Sequence, residues 1–168
     1  MKQFNEIFFF IFFIILLIST YSKAKTIIGK AKIIDGDTIH ININKIRLHG
    51  IDAPETKQTC KIESQDWFCG KQSTEELKKL INNQKVECRI NDIDIYNRYV
   101  AICSVNKINI NQWMVKNGWA IAYRYYSTDY ILEEKYARDN KLGIWKSEFL
   151  KPYQYRKNNK KEQQVFKS

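Results

Sequence analysis

Alternating apolar and polar residues predict β-structure between residues 26 and 51. The apolar and β-branched positions there follow the two-residue period of half-buried strands, and they are Ile33, Ile34, Ile39, Ile41, Ile43, Ile46 and Leu48. Asp35-Gly36-Asp37 and Asn44-Lys45 interrupt the pattern with turn-forming residues, and Ala53-Pro54 ends it. The segment is therefore predicted to form three strands.

Three later segments carry apolar residues at helical spacing. The longest spans residues 70–83, where Ser73-x-x-Glu76 has the pattern of a capping box. Residues 110–117 and 130–140 predict two shorter helices. With a strand pair between the first and second of these helices, the chain is predicted to order as three strands, a helix, two strands and two helices.

The strand pair, residues 86–90 and 99–105, predicts a hairpin that brings cysteines together. If the hairpin turns about Ile95-Tyr96, Cys88 and Cys103 are equidistant from the turn and face each other. Directly opposed residues lie about 4.5 Å apart at Cα, a distance that a disulfide can bridge. Cys60 and Cys69 then close a short local loop.

A zinc site is the alternative use of the four cysteines, but neither a Cys-x-x-Cys motif nor a nearby His accompanies them. Two disulfides indicate an oxidising, extracytoplasmic compartment.

The element order matches a small Greek-key barrel of the oligonucleotide-binding type (OB-fold). We therefore predict an α+β fold, a five-stranded β-barrel with three α-helices, in a single domain over residues 25–150. From Arg156 onward the chain is polar and lysine-rich without periodicity, so residues 151–168 are predicted to be a basic, solvated C-terminal tail.

An apolar run precedes the barrel domain. Phe8 to Ile18 is an unbroken run of eleven apolar residues, shorter than the roughly 20 that span a bilayer. Ser22-x-Ala24 fits the small-x-small pattern of signal-peptide cleavage. Residues 1–24 are therefore predicted to be a signal peptide of a secreted or periplasmic protein, with an uncleaved membrane anchor and a buried N-terminal helix as alternatives.

Composition excludes a disordered chain and favours a polyanionic partner. Hydrophobic residues make up 44% of the 168 residues and charged residues 27%, values typical of a globular protein. The formal net charge of +10 suits nucleic acid, although a merely soluble cationic protein or a surface-adhering one would also carry it.

Carboxylates and an arginine lie at the ends of the predicted strands. Asp37 and Asp52 end neighbouring strands and could converge on a hard cation such as Ca²⁺, which prefers oxygen ligands. Glu55 follows on a bend fixed by Pro54, close enough to hold a metal-bound water. Arg47 offers a planar fork for a phosphate.

The order of these residues resembles the staphylococcal nuclease (thermonuclease) family. The resemblance rests on Asp-Gly-Asp-Thr at residues 35–38 and Arg-Leu-x-Gly-Ile-Asp-Ala-Pro-Glu-Thr at residues 47–56. It continues through residues 94–99 and 114–120 and covers roughly residues 26–150. Ordered motifs over this length make the resemblance specific, whereas each motif alone is common.

The resemblance implies a Ca²⁺ site and a catalytic trio. The implied ligands are the carboxylates of Asp37 and Asp52 and the backbone carbonyl of Ala53, where Ala is tolerated because no side chain is needed. The implied catalytic residues are Arg47, Glu55 and Arg98. Asn97 stands where the family usually has Gly, and Asn tolerates the positive φ of such a turn. Ile95 stands where a basic residue is common.

The family's chemistry is an in-line attack of water on a phosphodiester. The resemblance therefore implies a Ca²⁺-dependent endonuclease acting on DNA and RNA, single-stranded or frayed, with low sequence specificity and 3′-phosphate products. Tyr123 and Tyr125 fall near the family's substrate-contacting tyrosines, with core packing as the alternative. We expect a monomer without an obligate protein partner.

Two other classes of function compete with the enzyme. A non-catalytic nucleic-acid-binding module would keep the same barrel, and a cell-surface adhesion protein would use the basic charge and the leader. Binding modules of this family typically lose the metal aspartates or the catalytic trio. Because this chain keeps all of them, the enzyme is favoured.

Overall fold

A closed barrel forms the centre of the protein. The structure is a computed structural model that describes residues 25–165. Six strands form one sheet in the order β3-β2-β1-β7-β8-β9, and a parallel pairing of β3 with β8 closes the first five of them into a barrel, with β9 paired to β8 at its edge. Their bounds are β1 Thr26–Ile33, β2 Thr38–Ile41, β3 Asn44–Leu48, β7 Lys85–Ile93, β8 Tyr99–Val105 and β9 Ile108–Asn109.

Short strands and helices surround the barrel. The strands β4 and β10 pair with each other, and β5 and β6 form a separate hairpin; their bounds are β4 Ile51–Asp52, β5 Cys60–Ile62, β6 Gln65–Trp67 and β10 Ile121–Ala122. The helices are α1 Cys69–Ile81, α2 Ile110–Lys116, α3 Ile131–Asp139 and α4 Pro152–Val165, with a 3₁₀ turn at Gly143–Lys146. Within residues 25–165 none of these helices is long and apolar enough to cross a membrane.

The core follows from the alternation along the strands. Inward-facing residues of β2 and β3 are almost completely buried, and Leu77 and Ile81 of α1 pack against them. Because side chains alternate across a strand, the polar residues between them point away from this core, where Lys45 is exposed but the Arg47 side chain is only 16% exposed. The predicted α+β class and five-stranded OB-type barrel are confirmed.

The helix count is four rather than three, because residues 152–165 of the predicted basic tail form a helix. The pattern there shows no apolar periodicity, yet the segment forms α4. Pro152 is buried at its first position, where a missing N–H has no cost. The Arg156 side chain forms ion pairs with the barrel domain, so polar contacts stabilise this helix.

The capping box predicted at Ser73 is also wrong. Helix α1 begins four residues earlier at Cys69, and the Ser73 hydroxyl donates to the Trp119 carbonyl at 2.7 Å. The earlier start has a steric reason. A Cβ on Gly70 would lie 1.7 Å from the Glu55 carbonyl oxygen, so the first turn of α1 packs directly against the segment that carries Glu55.

Both predicted disulfides are present. Cys88 and Cys103 pair directly across β7 and β8 with their Cα atoms 4.0 Å apart, and Cys60 is bonded to Cys69. All four are almost completely buried. The hairpin turns at Ile95-Tyr96 as predicted. The signal peptide predicted at residues 1–24 lies outside the described residues.

We expect removal of the Cys88–Cys103 bond to destabilise the barrel. Its sequence separation is 15 residues, and closing a loop of that length lowers the entropy of the unfolded chain by an equivalent of about 3 kcal/mol. C88A/C103A should therefore lose about 3 kcal/mol of unfolding free energy in guanidinium denaturation, with oxidised wild type as the reference. A loss below about 1 kcal/mol would contradict this view.

Candidate active site

The bend between β1 and β2 brings Asp37 to the end of β4. The Asp37 amide donates to the Asp35 carboxylate at 3.0 Å, which tightens the bend. A Cβ on Gly36 would lie 2.6 Å from the Ala53 Cβ, so only glycine allows this close approach. The Ala53 amide in turn donates to Asp37 Oδ2 at 2.7 Å. The three predicted metal ligands, Asp37, Asp52 and Ala53, are thus adjacent.

Arg47 bridges the two aspartates. Its Nη1 atom pairs with Asp37 Oδ1, and its Nη2 atom donates to Asp52 Oδ1 at 2.9 Å. Burial lowers the pKa of Arg47, but the charges of Asp37 and Asp52 outweigh it and hold the pKa above its usual range. Burial, followed by the charge of Asp37, raises the pKa of Asp52. The three groups therefore form one buried electrostatic unit.

Asp52 keeps one oxygen without a hydrogen bond. Its side chain is 0% exposed, and its Oδ2 atom is buried with no hydrogen-bond partner within residues 25–165. An unpaired buried carboxylate oxygen is costly unless a cation satisfies it. In the described part of the chain, no three His, Cys, Asp or Glu side chains cluster closely enough to hold a metal ion. A cation would thus also need carbonyl and water ligands, as Ca²⁺ accepts.

Glu55 lies beside the aspartates on a tight turn. Its carbonyl accepts from the Gln58 amide at 2.7 Å, and its own amide donates to Gln58 Oε1 at 3.3 Å. The Gln58 side chain is completely buried, so the turn is fixed to the core. The Glu55 side chain is 35% exposed and remains accessible to water.

The sequence interpretation missed Arg156, which lies on α4. Its Nη1 atom donates to Glu55 Oε1 at 2.9 Å, and its Nη2 atom donates to Asp52 Oδ1 at 2.8 Å. Burial lowers the pKa of Arg156, but the negative charge of Asp52 and the hydrogen bonds raise it overall. The sequence shows only that Arg156 is basic, because no local pattern links it to Asp52 and Glu55, which lie about a hundred positions earlier.

Arg98 pairs with an acid of its own hairpin. Its Nε and Nη2 atoms donate to Asp94 Oδ2 at 2.8 and 2.7 Å. Burial raises the pKa of Asp94, but hydrogen bonds from Arg98 dominate and lower it. Asn97 has φ 59°, as predicted for the position where Gly is usual. The structure therefore brings Arg47 and Glu55 to the aspartates, whereas the ion pair of Arg98 is with Asp94.

Tyr123 and Tyr125 follow β10 on a loop that a buried acid holds. Glu134, 4% exposed, accepts from the Ala122 amide at 3.1 Å and pairs with Arg124 between the two tyrosines. Burial and then the charge of Asp52 raise the pKa of Tyr123, so this phenol lies near the aspartates. Tyr125 is 81% exposed, which excludes core packing for it.

Further tyrosines extend this pair into an aromatic cluster. Tyr126 packs edge-on against Tyr123 and Tyr125, with ring centroids 5.1 and 5.0 Å away. Tyr153 of α4 lies 6.4 Å from Tyr123. The cluster offers exposed ring faces beside the carboxylates, an arrangement on which nucleic-acid bases can stack.

Comparison with known proteins gives a consistent family match. A family model described as staphylococcal nuclease homologue matches residues 45–147. The succinoglycan biosynthesis protein ExoI of Rhizobium meliloti (strain 1021) is 33% identical over 132 residues, 74% of this chain and 68% of that protein. An uncharacterized endonuclease of Haemophilus influenzae is 32% identical over 152 residues, 86% and 80%. A micrococcal nuclease of Shigella flexneri is 32% identical over 147 residues, 77% and 79%.

Asp35 should make the metal-free protein less stable as the pH rises. Burial, followed by the charge of Asp37, raises the pKa of Asp35 to about 7 from 3.8. The folded state therefore binds this proton more tightly than the unfolded chain, and stability is lost as the pH rises from about 4 through 7. The D35N variant has no carboxyl group that can lose a proton at this position. In excess chelator its melting temperature should therefore fall less than that of the wild type between about pH 5 and 8. Equal slopes for both proteins would contradict the assignment.

Proposed function

The chain belongs to the staphylococcal nuclease family, and proteins similar to it are named endonuclease and micrococcal nuclease. From this membership we propose that it is a Ca²⁺-dependent endonuclease. It hydrolyses phosphodiesters of DNA and RNA with low sequence specificity and leaves 3′-phosphates. The observation that carries the proposal is the buried cluster of Asp37, Arg47 and Asp52 with the accessible carboxylate of Glu55 beside it.

The donor set fits a calcium ion. Asp37 and Asp52 supply carboxylates, one of them with an unpaired buried oxygen, and Ala53, whose amide donates to Asp37, would add its carbonyl as a neutral oxygen. Repulsion between the two buried carboxylates is one cause of the raised pKa of Asp52, and a divalent cation would relieve it. When bound there, Ca²⁺ neutralises charge on a non-bridging phosphate oxygen.

The protein's own side chains perform the remaining tasks. Glu55 orients the attacking water and accepts its proton, since it lies beside Asp52 and stays in reach of solvent. Arg47, fixed by the two aspartates, donates to phosphate oxygens that gain negative charge in the pentacoordinate state. Arg98 is proposed as the second donor to the phosphate, with its guanidinium fixed by Asp94 on the hairpin turn.

The aromatic cluster supports nucleic acid with accessible bases as the substrate. Tyr125 exposes its ring beside the site, and Tyr123 lies close to Asp52. Stacking requires unpaired bases, so single-stranded or frayed substrate is preferred, and it tolerates any base. The formal net charge of +10 adds sequence-independent attraction to phosphates.

Secretion or periplasmic export and a monomeric state complete the proposal. The two buried disulfides support an oxidising compartment, because such bonds rarely persist in a reducing cytosol. The signal peptide assigned to residues 1–24 would deliver the domain there.

Loss of Glu55 should abolish most of the turnover without unfolding the protein. In millimolar Ca²⁺, E55Q should release acid-soluble fragments from denatured DNA at least about 10²-fold more slowly than wild type, because the water loses its base. R47A and R98A should lose a similar factor, since each removes one donor to the transition state. Chelator should stop the wild-type reaction.

E75Q provides the matched control, because Glu75 is an exposed acid on α1 that pairs with Lys78. It should keep wild-type turnover. Near wild-type activity in E55Q, R47A and R98A together would end the assignment, whereas salt-sensitive DNA binding without cleavage by the wild type would indicate a binding module.

Removal of the exposed ring at Tyr125 should weaken substrate binding. Stacking on one base contributes about 1–3 kcal/mol, so Y125A should raise KM for single-stranded DNA by about tenfold or more. Y136A is the matched control, because Tyr136 is a half-exposed tyrosine on α3 outside the aromatic cluster. Equal KM values for the two variants would remove Tyr125 from the substrate site.

A further inference from the structure

Arg156 contacts both carboxylates on which the proposed reaction depends. Its guanidinium donates to Glu55 Oε1 at 2.9 Å and to Asp52 Oδ1 at 2.8 Å. Arg47 donates to the same Asp52 oxygen at 2.9 Å. Two guanidinium groups therefore donate to one carboxylate oxygen.

The position of α4 is fixed by the same residues that fix Glu55. The buried Gln58 side chain accepts from the Glu55 amide and donates to the Leu150 carbonyl at 2.7 Å, just before α4 begins. Reciprocal backbone hydrogen bonds of 2.9 Å join Lys61 to Glu148 in the same region. These hydrogen bonds place the start of α4 beside the Glu55 turn, and they do not depend on the contacts of Arg156.

Arg98, which the resemblance assigned to catalysis, and Arg156, which it did not, differ in how their charges are neutralised. Arg98 shares its charge with Asp94 on the hairpin turn, through two hydrogen bonds. Arg156 has a side chain that is 31% exposed, and two of its five N–H groups donate to the carboxylates. Within residues 25–165 its other N–H groups donate to no further group, so they are available to an anion that enters from solvent.

We propose that Arg156 is a phosphate-binding residue of the active site, delivered by a helix beyond the barrel domain. When substrate enters, its guanidinium keeps Glu55 and exchanges Asp52 Oδ1 for a phosphate oxygen, while Arg47 stays on Oδ1 and the unpaired Oδ2 is left to the cation. Tyr153, one turn earlier on α4, lies 6.4 Å from Tyr123 and places the same helix along the bases. The inference rests on the proposed nuclease function.

Three variants at adjacent positions test this role. R156Q removes the guanidinium, R156K keeps the charge but not the planar fork, and K157Q removes an exposed charge from the next position of the same helix. Each variant is prepared as the full chain with its disulfides, and its melting temperature is compared with that of the wild type.

The expected result is a pair of opposite effects in R156Q. Ca²⁺ measured by calorimetry should bind about tenfold more tightly, because a like charge has left its ligand Asp52. Turnover of denatured DNA should nevertheless fall at least about 10²-fold. In excess chelator, a short fluorescein-labelled single-stranded DNA should bind R156Q about tenfold more weakly than K157Q by anisotropy. R156K should recover less than a tenth of wild-type turnover, because a point charge cannot bridge Glu55 and the phosphate.

Other outcomes would overturn the inference. Tighter Ca²⁺ binding with equal or higher turnover in R156Q would indicate that Arg156 inhibits the enzyme by occupying the site. Wild-type turnover in R156K, with a lowered melting temperature in R156Q, would make it a structural anchor, and R156K alone decides the matter if R156Q does not fold. A wild type that fails to cleave DNA with Ca²⁺ would overturn the proposed function itself, which is a different result from cleavage that R156Q leaves intact.

Discussion

The buried carboxylate of Asp52 is the group around which the site is organised. A carboxylate removed from water must be compensated, and here Arg47 from the barrel and Arg156 from α4 both donate to one of its oxygens. Its other oxygen remains unpaired in the described part of the chain. Replacing either arginine would leave the buried negative charge of Asp52 less compensated. The same excess of negative charge gives the site its affinity for a cation. Stability and metal binding therefore compete at a single side chain.

The architecture around Asp52 explains how such a group is held in place. The strand β4 is only two residues long and pairs with β10, so Asp52 lies in a short ladder with both neighbours buried. The closed barrel supports it on one side, while the first turn of α1 packs against the Glu55 segment through Gly70 on the other. Rigid elements thus fix the ligands, and the exposed tyrosines lie on a loop that Glu134 ties back to α3. This arrangement suits a site whose charged groups must be held in fixed positions and whose tyrosines must accept any base of the substrate.

Local patterns predicted the parts of the protein that depend on local geometry. The pairing of Cys88 with Cys103 followed from their equal distance from one turn, and the positions of the barrel strands along the chain followed from two-residue alternation. The capping box at Ser73 failed because Cys69 and Gly70 start the helix earlier, for packing against a carbonyl that the helical pattern does not contain. Arg156 could not be predicted, since its partner Asp52 is 104 residues away and its helix has no apolar face to reveal that it docks. The resemblance supplied the roles of Asp37, Asp52 and Glu55, but those roles stay predictions until activity is measured.

The long separation between Asp52 and Arg156 also orders events during synthesis. Every described strand, the two aspartates and Glu55 precede α4 in the chain. The second guanidinium arrives only after translation passes position 156, 104 residues after Asp52. A chain truncated between residues 146 and 155 would keep every described strand but lose one of the two guanidinium groups at Asp52. Completeness of the polypeptide thereby becomes a condition for a complete site.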